Sequence, residues 1–200
     1  MDAIRVGLAH FTGTNRRFEK KGEVNGFTII DDYAHHPHEI EATLKTAQNY
    51  PHKTLWCIFQ PHTYTRTKAF LPQFAEALSL ADKVILADIY AARETDTLGI
   101  SSEDIVKLLK EKGKEAWYLP TFDEIEKFVM EHCTQGDLLI TMGAGDVVNV
   151  GENLLANRCT PRVHIVIHII HIVFNILCKG TMWIFAPKCG NGEMPKMLIK

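Results

Sequence analysis

The chain has no Gly-x-x-x-x-Gly-Lys-Ser/Thr segment, and neither Gly-Lys-Ser nor Gly-Lys-Thr occurs among its 200 residues. A glycine loop that cradles a triphosphate and brings a lysine to its β/γ end is therefore missing from these residues. Cysteine is sparse: Cys57, Cys133, Cys159, Cys178 and Cys189 form no Cys-x-x-Cys pair. That spacing argues against a zinc knuckle and a disulfide framework, and points to a reducing, cytoplasmic compartment. Positive charge is not in excess, since 22 Lys and Arg face 24 Asp and Glu for a net charge of −2. A basic footprint for nucleic acid or an anionic membrane is excluded. The apolar run at 163–178 is short of the roughly 20 residues of a membrane span, and His164, His168, His171 and Asn175 interrupt it. The opening Met1-Asp2-Ala3-Ile4-Arg5 is no signal peptide.

What is present is an ordinary globular composition, 46% hydrophobic and 23% charged, enough for one domain with a real core. Residues 17–24 read as a strand, Asn25-Gly26 as a type I′ hairpin turn, and 27–30 as the returning strand. Helical spacing of Ile40, Leu44 and Ala47 predicts a helix over 39–49. The pattern continues with a strand at 55–59, a helix at 68–80 and a strand at 84–89. Next come a helix capped by Ser101 and stopped at Gly113, a strand at 116–119, a helix at 122–133 and a strand at 138–142. Strands separated by helices of this length imply a doubly wound α/β domain with a mostly parallel sheet. An N-terminal β-hairpin and an extra C-terminal tail complete the expected fold. Cys57, inside an apolar strand, is expected to be a small buried hydrophobe.

Chemistry concentrates at two predicted strand ends. Asp31-Asp32-Tyr33-Ala34-His35-His36-Pro37 follows one, and Gln60-Pro61-His62-Thr63-Tyr64-Thr65-Arg66 follows the next. Carboxyl edges of open sheets are where α/β proteins place ligands. Tyr90, Arg93 and Glu94 follow a third strand and either close the same pocket or form a local ion pair. Gly143-Ala144-Gly145 reads as a tight strand-to-helix turn, and Asp146 as the cap of the last helix.

Five ordered motifs carry a resemblance. Phe11-Thr12-Gly13-Thr14-Asn15-Arg16-Arg17-Phe18, the two strand-end segments above, Asp88-Ile89-Tyr90-Ala91-Ala92-Arg93-Glu94 and Met142-Gly143-Ala144-Gly145-Asp146 resemble the Mur ligase family. The likeness spans residues 4–155 and is to the carboxyl-terminal, Rossmann-like domain. It implies an ATP-dependent ligase, with Mg2+, joining L-alanine to the lactyl carboxylate of UDP-N-acetylmuramate through an acyl phosphate in peptidoglycan synthesis. It also implies a division of the chain: 1–16 a remnant of a central ATPase domain, 17–156 the carboxyl-terminal domain, and 157–200 an atypical tail outside the fold. The abrupt change after Asn157 suggests a frame or end discontinuity. Without the phosphate loop, the chain alone is expected to be inactive; the magnesium ligands are expected mainly from the missing domain.

By the same resemblance, Arg17 and Asp32 bind the nucleotide, while Tyr33, His35, His62 and Arg66 line the amino-acid pocket. His35 and His62 are the catalytic candidates, because imidazole titrates near neutral pH, and Arg66 clamps the α-carboxylate. Arg16, one step out of alternation with Arg17, is expected to be a solvated strand residue. His36 and His38 are expected to be structural or exposed. Some relatives carry a second arginine where Thr63 stands, so the clamp is thinner here. No metal site is assigned. Two other readings stand beside this one: a metal-dependent hydrolase using Asp31, Asp32, His35, His36, His38 and His62, and a binding-only module that works with a partner chain. A helical 163–178 would put His164, His168 and His171 on one face, where they could bind a metal.

Overall fold

Leu55-Trp56-Cys57-Ile58-Phe59 and Leu138-Leu139-Ile140-Thr141-Met142 are buried at every position. Only a strand covered on both faces requires that. In the computed structural model, which describes residues 2–10 and 13–156, these two runs lie side by side at the centre of a six-stranded sheet. The elements are α1 (Asp2–Ala9), β1 (Glu19–Val24), β2 (Phe27–Asp32), α2 (Pro37–Gln48), β3 (Leu55–Phe59), α3 (Tyr64–Ala69) and α4 (Leu71–Leu78). After them come β4 (Lys83–Leu86), α5 (Ser102–Glu111), β5 (Glu115–Tyr118), α6 (Phe122–His132), β6 (Leu138–Met142) and α7 (Val148–Ala156). Strand order is β1-β2-β6-β3-β4-β5. Only the β1–β2 pair is antiparallel, joined through Asn25 and Gly26 at φ 48° and 85° as the hairpin signal demands.

Two apolar layers sandwich the sheet. On one face Ile40 and Leu44 of α2, Phe74 and Leu78 of α4, and Ile105 and Leu109 of α5 pack against Ile30, Cys57, Phe59, Leu86 and Ile140. On the other, Ile125 and Val129 of α6 with Val150 and Leu154 of α7 cover Phe27, Ile29, Trp56, Ile58 and Leu139. β6 inserts between β2 and β3, so the helices leaving neighbouring strand ends diverge to opposite faces. That divergence opens a crevice at the carboxyl rim.

Several boundaries differ from expectation for local reasons. The helix expected at 68–80 is two helices, α3 and α4, broken at Phe70 (φ −115°, ψ 21°). Pro72 has no N–H to offer the preceding turn, so it sits near the start of a new helix instead of inside an old one. β2 runs two residues past the expected end, because Asp31 and Asp32 still pair with Thr141 and Met142 of β6. Residues 17 and 18 are not strand: Arg16 and Phe18 adopt positive φ, 57° and 48°. Cys57 is fully buried and burial pushes its thiol up to about 12. The histidines of 163–178 lie outside the described residues.

Candidate active site at the carboxyl ends of the strands

Period-two alternation sends Asp31 and Asp32 to opposite faces of β2. Asp31, fully buried, accepts from Arg16 Nε at 2.8 Å and from Thr141 Oγ1 at 2.7 Å. Asp32 accepts from the backbone N–H of Phe18 and of Ala34, both at 2.8 Å. Burial raises the pKa of Asp32, against the backbone bonds and the nearby Arg17, which lower it. The two aspartates therefore bind the strap at 14–18 onto the strand end, where Tyr33 N–H also donates to Arg16 O at 2.8 Å.

Arg16 is not the solvated strand residue expected. Its positive φ takes it out of strand alternation, and its guanidinium reaches Gly145 O at 3.1 Å and Gly143 O at 2.8 Å. It thereby ties the loop after β6 to the hairpin edge. No local signal marked this, since the partners lie at the far end of the chain. Arg17, exposed, makes no ion pair among the described residues; its guanidinium lies 5.7 Å from the Tyr33 ring centre, and Arg16's lies at 4.9 Å. The Gly143–Gly145 loop is closely packed: a Cβ on Gly145 would come within 2.3 Å of Gln60 Oε1 and 3.1 Å of Tyr90 Cγ. Gln60 Oε1 accepts from Val147 N–H at 3.3 Å, and Gln60 Nε2 donates to Asp146 Oδ1 at 3.0 Å. The Asp146 carboxylate thus answers Gln60 across the rim, where a helix cap was expected.

A line of rings continues from Tyr33 along the rim. Tyr33 and His35 are 5.6 Å apart, His35 and His62 6.2 Å, and His62 and Tyr90 5.4 Å, centre to centre. His35 Nδ1 lies 3.1 Å from Tyr33 O and 3.5 Å from Glu39. Glu39 also accepts from the N–H groups of His35 and His36, fixing the entry to α2. His62 Nδ1 and Arg66 Nη1 are buried and have no hydrogen-bond partner among the described residues. Burial, Arg66 and His35 hold the His62 pKa below its ordinary value. Thr63 between them has φ 70° and ψ 142°. A β-branched residue there is strained by about 1–3 kcal/mol, a feature that clusters at ligand clamps. Sequence alone offered no sign of it.

The structure thus brings Tyr33, His35, His62 and Arg66 onto one rim, with Arg17 and Asp32 at its β2 end. It does not bring together the six groups of the hydrolase reading. Asp31 and Asp32 diverge and are spent on Arg16 and backbone N–H groups. His36 packs on Phe70 at 4.9 Å and on His38 at 5.5 Å, beside a groove of about 350 Å³ between α2 and α4. Among the described residues, no group of three His, Cys, Asp or Glu could hold a metal ion. Glu94 forms no ion pair with Arg93 but accepts from the N–H groups of Tyr64 and Thr65.

Residues 16–145 match the family described as Mur ligase, glutamate ligase domain. A UDP-N-acetylmuramate–L-alanine ligase of Lachnoclostridium phytofermentans is 64% identical over 155 residues, covering 78% of this chain and 33% of that protein. The enzyme of the same name from Agathobacter rectalis is 66% identical over 154 residues, 77% of this chain and 34% of that one. The chain therefore spans about a third of the length of the curated relatives it matches. Among solved structures, a UDP-N-acetylmuramate-alanine ligase from Thermotoga maritima superposes with a TM-score of 0.62 at 27% identity, covering 79% of this chain and 36% of that one. A murein peptide ligase from Psychrobacter arcticus also gives 0.62, at 26% identity, over 76% of this chain and 31% of that one.

Proposed function

We propose that this chain, which belongs to the Mur ligase family, is the amino-acid- and nucleotide-contacting part of an ATP-dependent ligase. The reaction is the joining of L-alanine to UDP-N-acetylmuramate in cytoplasmic peptidoglycan synthesis. Residues 17–156 form this domain in the proposal, residues 1–16 belong to the end of a central ATPase domain, and 157–200 stand outside both. High identity to proteins named for this reaction supports the choice of substrate.

The observation that carries the proposal is the pair of buried, unpartnered atoms, His62 Nδ1 and Arg66 Nη1, at adjacent rim positions. A buried donor without an acceptor is costly and is retained where a ligand restores the bond. The α-carboxylate of an amino acid fits Arg66, whose planar fork grips it bidentately. His62, held neutral near physiological pH, accepts a proton from the ammonium group and frees the amine for attack. His35, whose Nδ1 already lies against Tyr33 O, orients the ligand beside Tyr33. Arg17, exposed and without an ion pair among the described residues, together with Asp32 at the β2 end, meets the nucleotide. ATP supplies the phosphoryl group that activates the sugar's carboxylate. The described residues do not fit a magnesium site, since the rim carboxylates Asp31, Asp32, Glu39, Glu94 and Asp146 already accept protein hydrogen bonds and no cluster of three forms among the described residues; its ligands belong to the central domain in this reading.

The test is ADP release with UDP-N-acetylmuramate, L-alanine and ATP, by these 200 residues alone and with a relative's first two domains added. Silence alone and turnover on addition is the expected result. Turnover alone, or none in either case while the chain is folded, would sink the proposal.

A further inference from the structure

We propose that Glu94 is a positioning residue for the amino-acid pocket, its carboxylate holding the first turn of α3 so that His62 and Arg66 stay aimed at the ligand. The inference rests on the pocket reading above. Glu94 belongs to the loop between β4 and α5, and its Oε2 accepts from Tyr64 N–H and from Thr65 N–H (3.1 Å), while Oε1 accepts from the Thr65 hydroxyl. Three donors from two adjacent residues converge on one side chain. An ionised carboxylate accepts from all three, Oε2 from the two N–H groups and Oε1 from the hydroxyl, and truncation to alanine removes every one of these bonds. These bonds lower the Glu94 pKa, so it stays charged at neutral pH.

The turn needs such a hold. Thr63, directly before α3, sits at positive φ, and a strained residue persists only where its surroundings over-determine it. The same loop supplies the other restraints. Thr63 N–H donates to Tyr90 O at 2.9 Å, Tyr90 N–H donates to Pro61 O at 2.8 Å, and Lys68 Nζ donates to Leu98 O at 2.9 Å. The β4–α5 loop is thus a strap across α3, and Glu94 is its one carboxylate on the helix's first turn. Because Glu94 occupies the N–H groups of Tyr64 and Thr65, a ligand carboxylate is left to Arg66, and the amine to His62. That division of labour separates positioning from binding.

The experiment is an NMR titration of the isotope-labelled 200-residue chain with L-alanine, following the His62 ring, in wild type, Glu94→Ala, Glu94→Asp and Thr65→Val. Amide exchange at Tyr64 and Thr65 and the Tm are read alongside. The wild type should bind. Glu94→Ala should bind roughly tenfold more weakly, the loss of the charge-assisted contact set, with faster exchange at Tyr64 and Thr65. Glu94→Asp should recover part of the affinity, and Thr65→Val, which removes one bond of three, should lose least. Glu94→Ala binding like wild type would overturn the inference. If Glu94→Ala does not fold, Thr65→Val decides, and wild-type affinity there overturns it. A wild type that does not bind L-alanine would instead defeat the pocket reading, and this inference with it.

Discussion

The two halves of the carboxyl rim differ in how fully their charges are answered. Where β2 and β6 end, Arg16 donates to Asp31, Gly143 and Gly145, and Asp31 also accepts from Thr141. Where β3 and β4 end, His62 Nδ1 and Arg66 Nη1 are buried without partners. The answered half is a frame, and the unanswered half is where a ligand's charge has something to gain. An orphan atom alone does not make that distinction. Asp137 Oδ1, at the amino end of β6, also lacks a partner, yet Asp137 Oδ2 takes bonds from Trp56 and from Thr134 twice. Its charge is already met by protein donors, whereas His62 of the rim pair stands between the rings of His35 and Tyr90.

Breaking the frame should have the largest effect. Arg16→Ala leaves the Asp31 carboxylate buried with Thr141 as its remaining side-chain partner. Removing one member of a buried pair costs about 3–5 kcal/mol, and the partial exposure of Arg16 puts this case at about 3. The Tm should fall by roughly 6–12 °C; an unchanged melt would show that the clamp carries no stability. The open half should respond in the opposite way. Arg66→Ala should weaken L-alanine binding by about 1.5–3 kcal/mol, the worth of bonds to a charged group, while the Tm holds or rises because an unpaired buried donor is removed. A fall in Tm without loss of affinity would reverse the assignment of the two halves.

A smaller effect should join the halves. Gly145→Ala would put a methyl 2.3 Å from Gln60 Oε1 and against Tyr90, so Gln60 must leave Val147 or Asp146. Overpacking of this kind costs about 1–2 kcal/mol, and both the Tm and L-alanine affinity should drop together. The smallest is a titration. His62 is held below its ordinary pKa by burial, Arg66 and His35, so the unfolded chain takes the proton first as pH falls. Its share of stability is intact above about 6.5 and is lost as pH drops below that, until the folded imidazole is protonated too. The bound ammonium group beside His62 should lower the His62 midpoint seen by NMR still further, and by linkage affinity should fall as pH drops through it. A midpoint unmoved at saturating L-alanine would place the ligand elsewhere.

Much of this was legible beforehand. The runs at 55–59 and 138–142 are strands to the residue, because continuous apolar stretches of that length fit a doubly covered sheet. The Ser101 cap and the Asn25-Gly26 turn were readable because their chemistry is local. The break at Phe70 was missed because apolar spacing masked Pro72. The candidate site was legible as a set of strand-end residues, Tyr33, His35, His62 and Arg66. Arg16 departs from the solvated residue expected and Glu94 from the ion pair weighed as one of its two readings for a shared reason: both act on backbone or buried groups that alternation and charge pairing do not reveal.

The sequence by itself determined the order of strands and helices, the hairpin, the two-sided core and the family, since periodicity, turn chemistry and ordered motifs are all local or linear properties. The tertiary structure decided which charges meet. Arg16 finds Gly143 and Gly145 across 127 and 129 residues, and Glu94 finds Tyr64 and Thr65 only because β4 lies beside β3 in the sheet. A hydrogen bond is made by distance and angle in space, so which arginine braces the frame and which stands ready for a ligand emerged only when the strands were laid side by side.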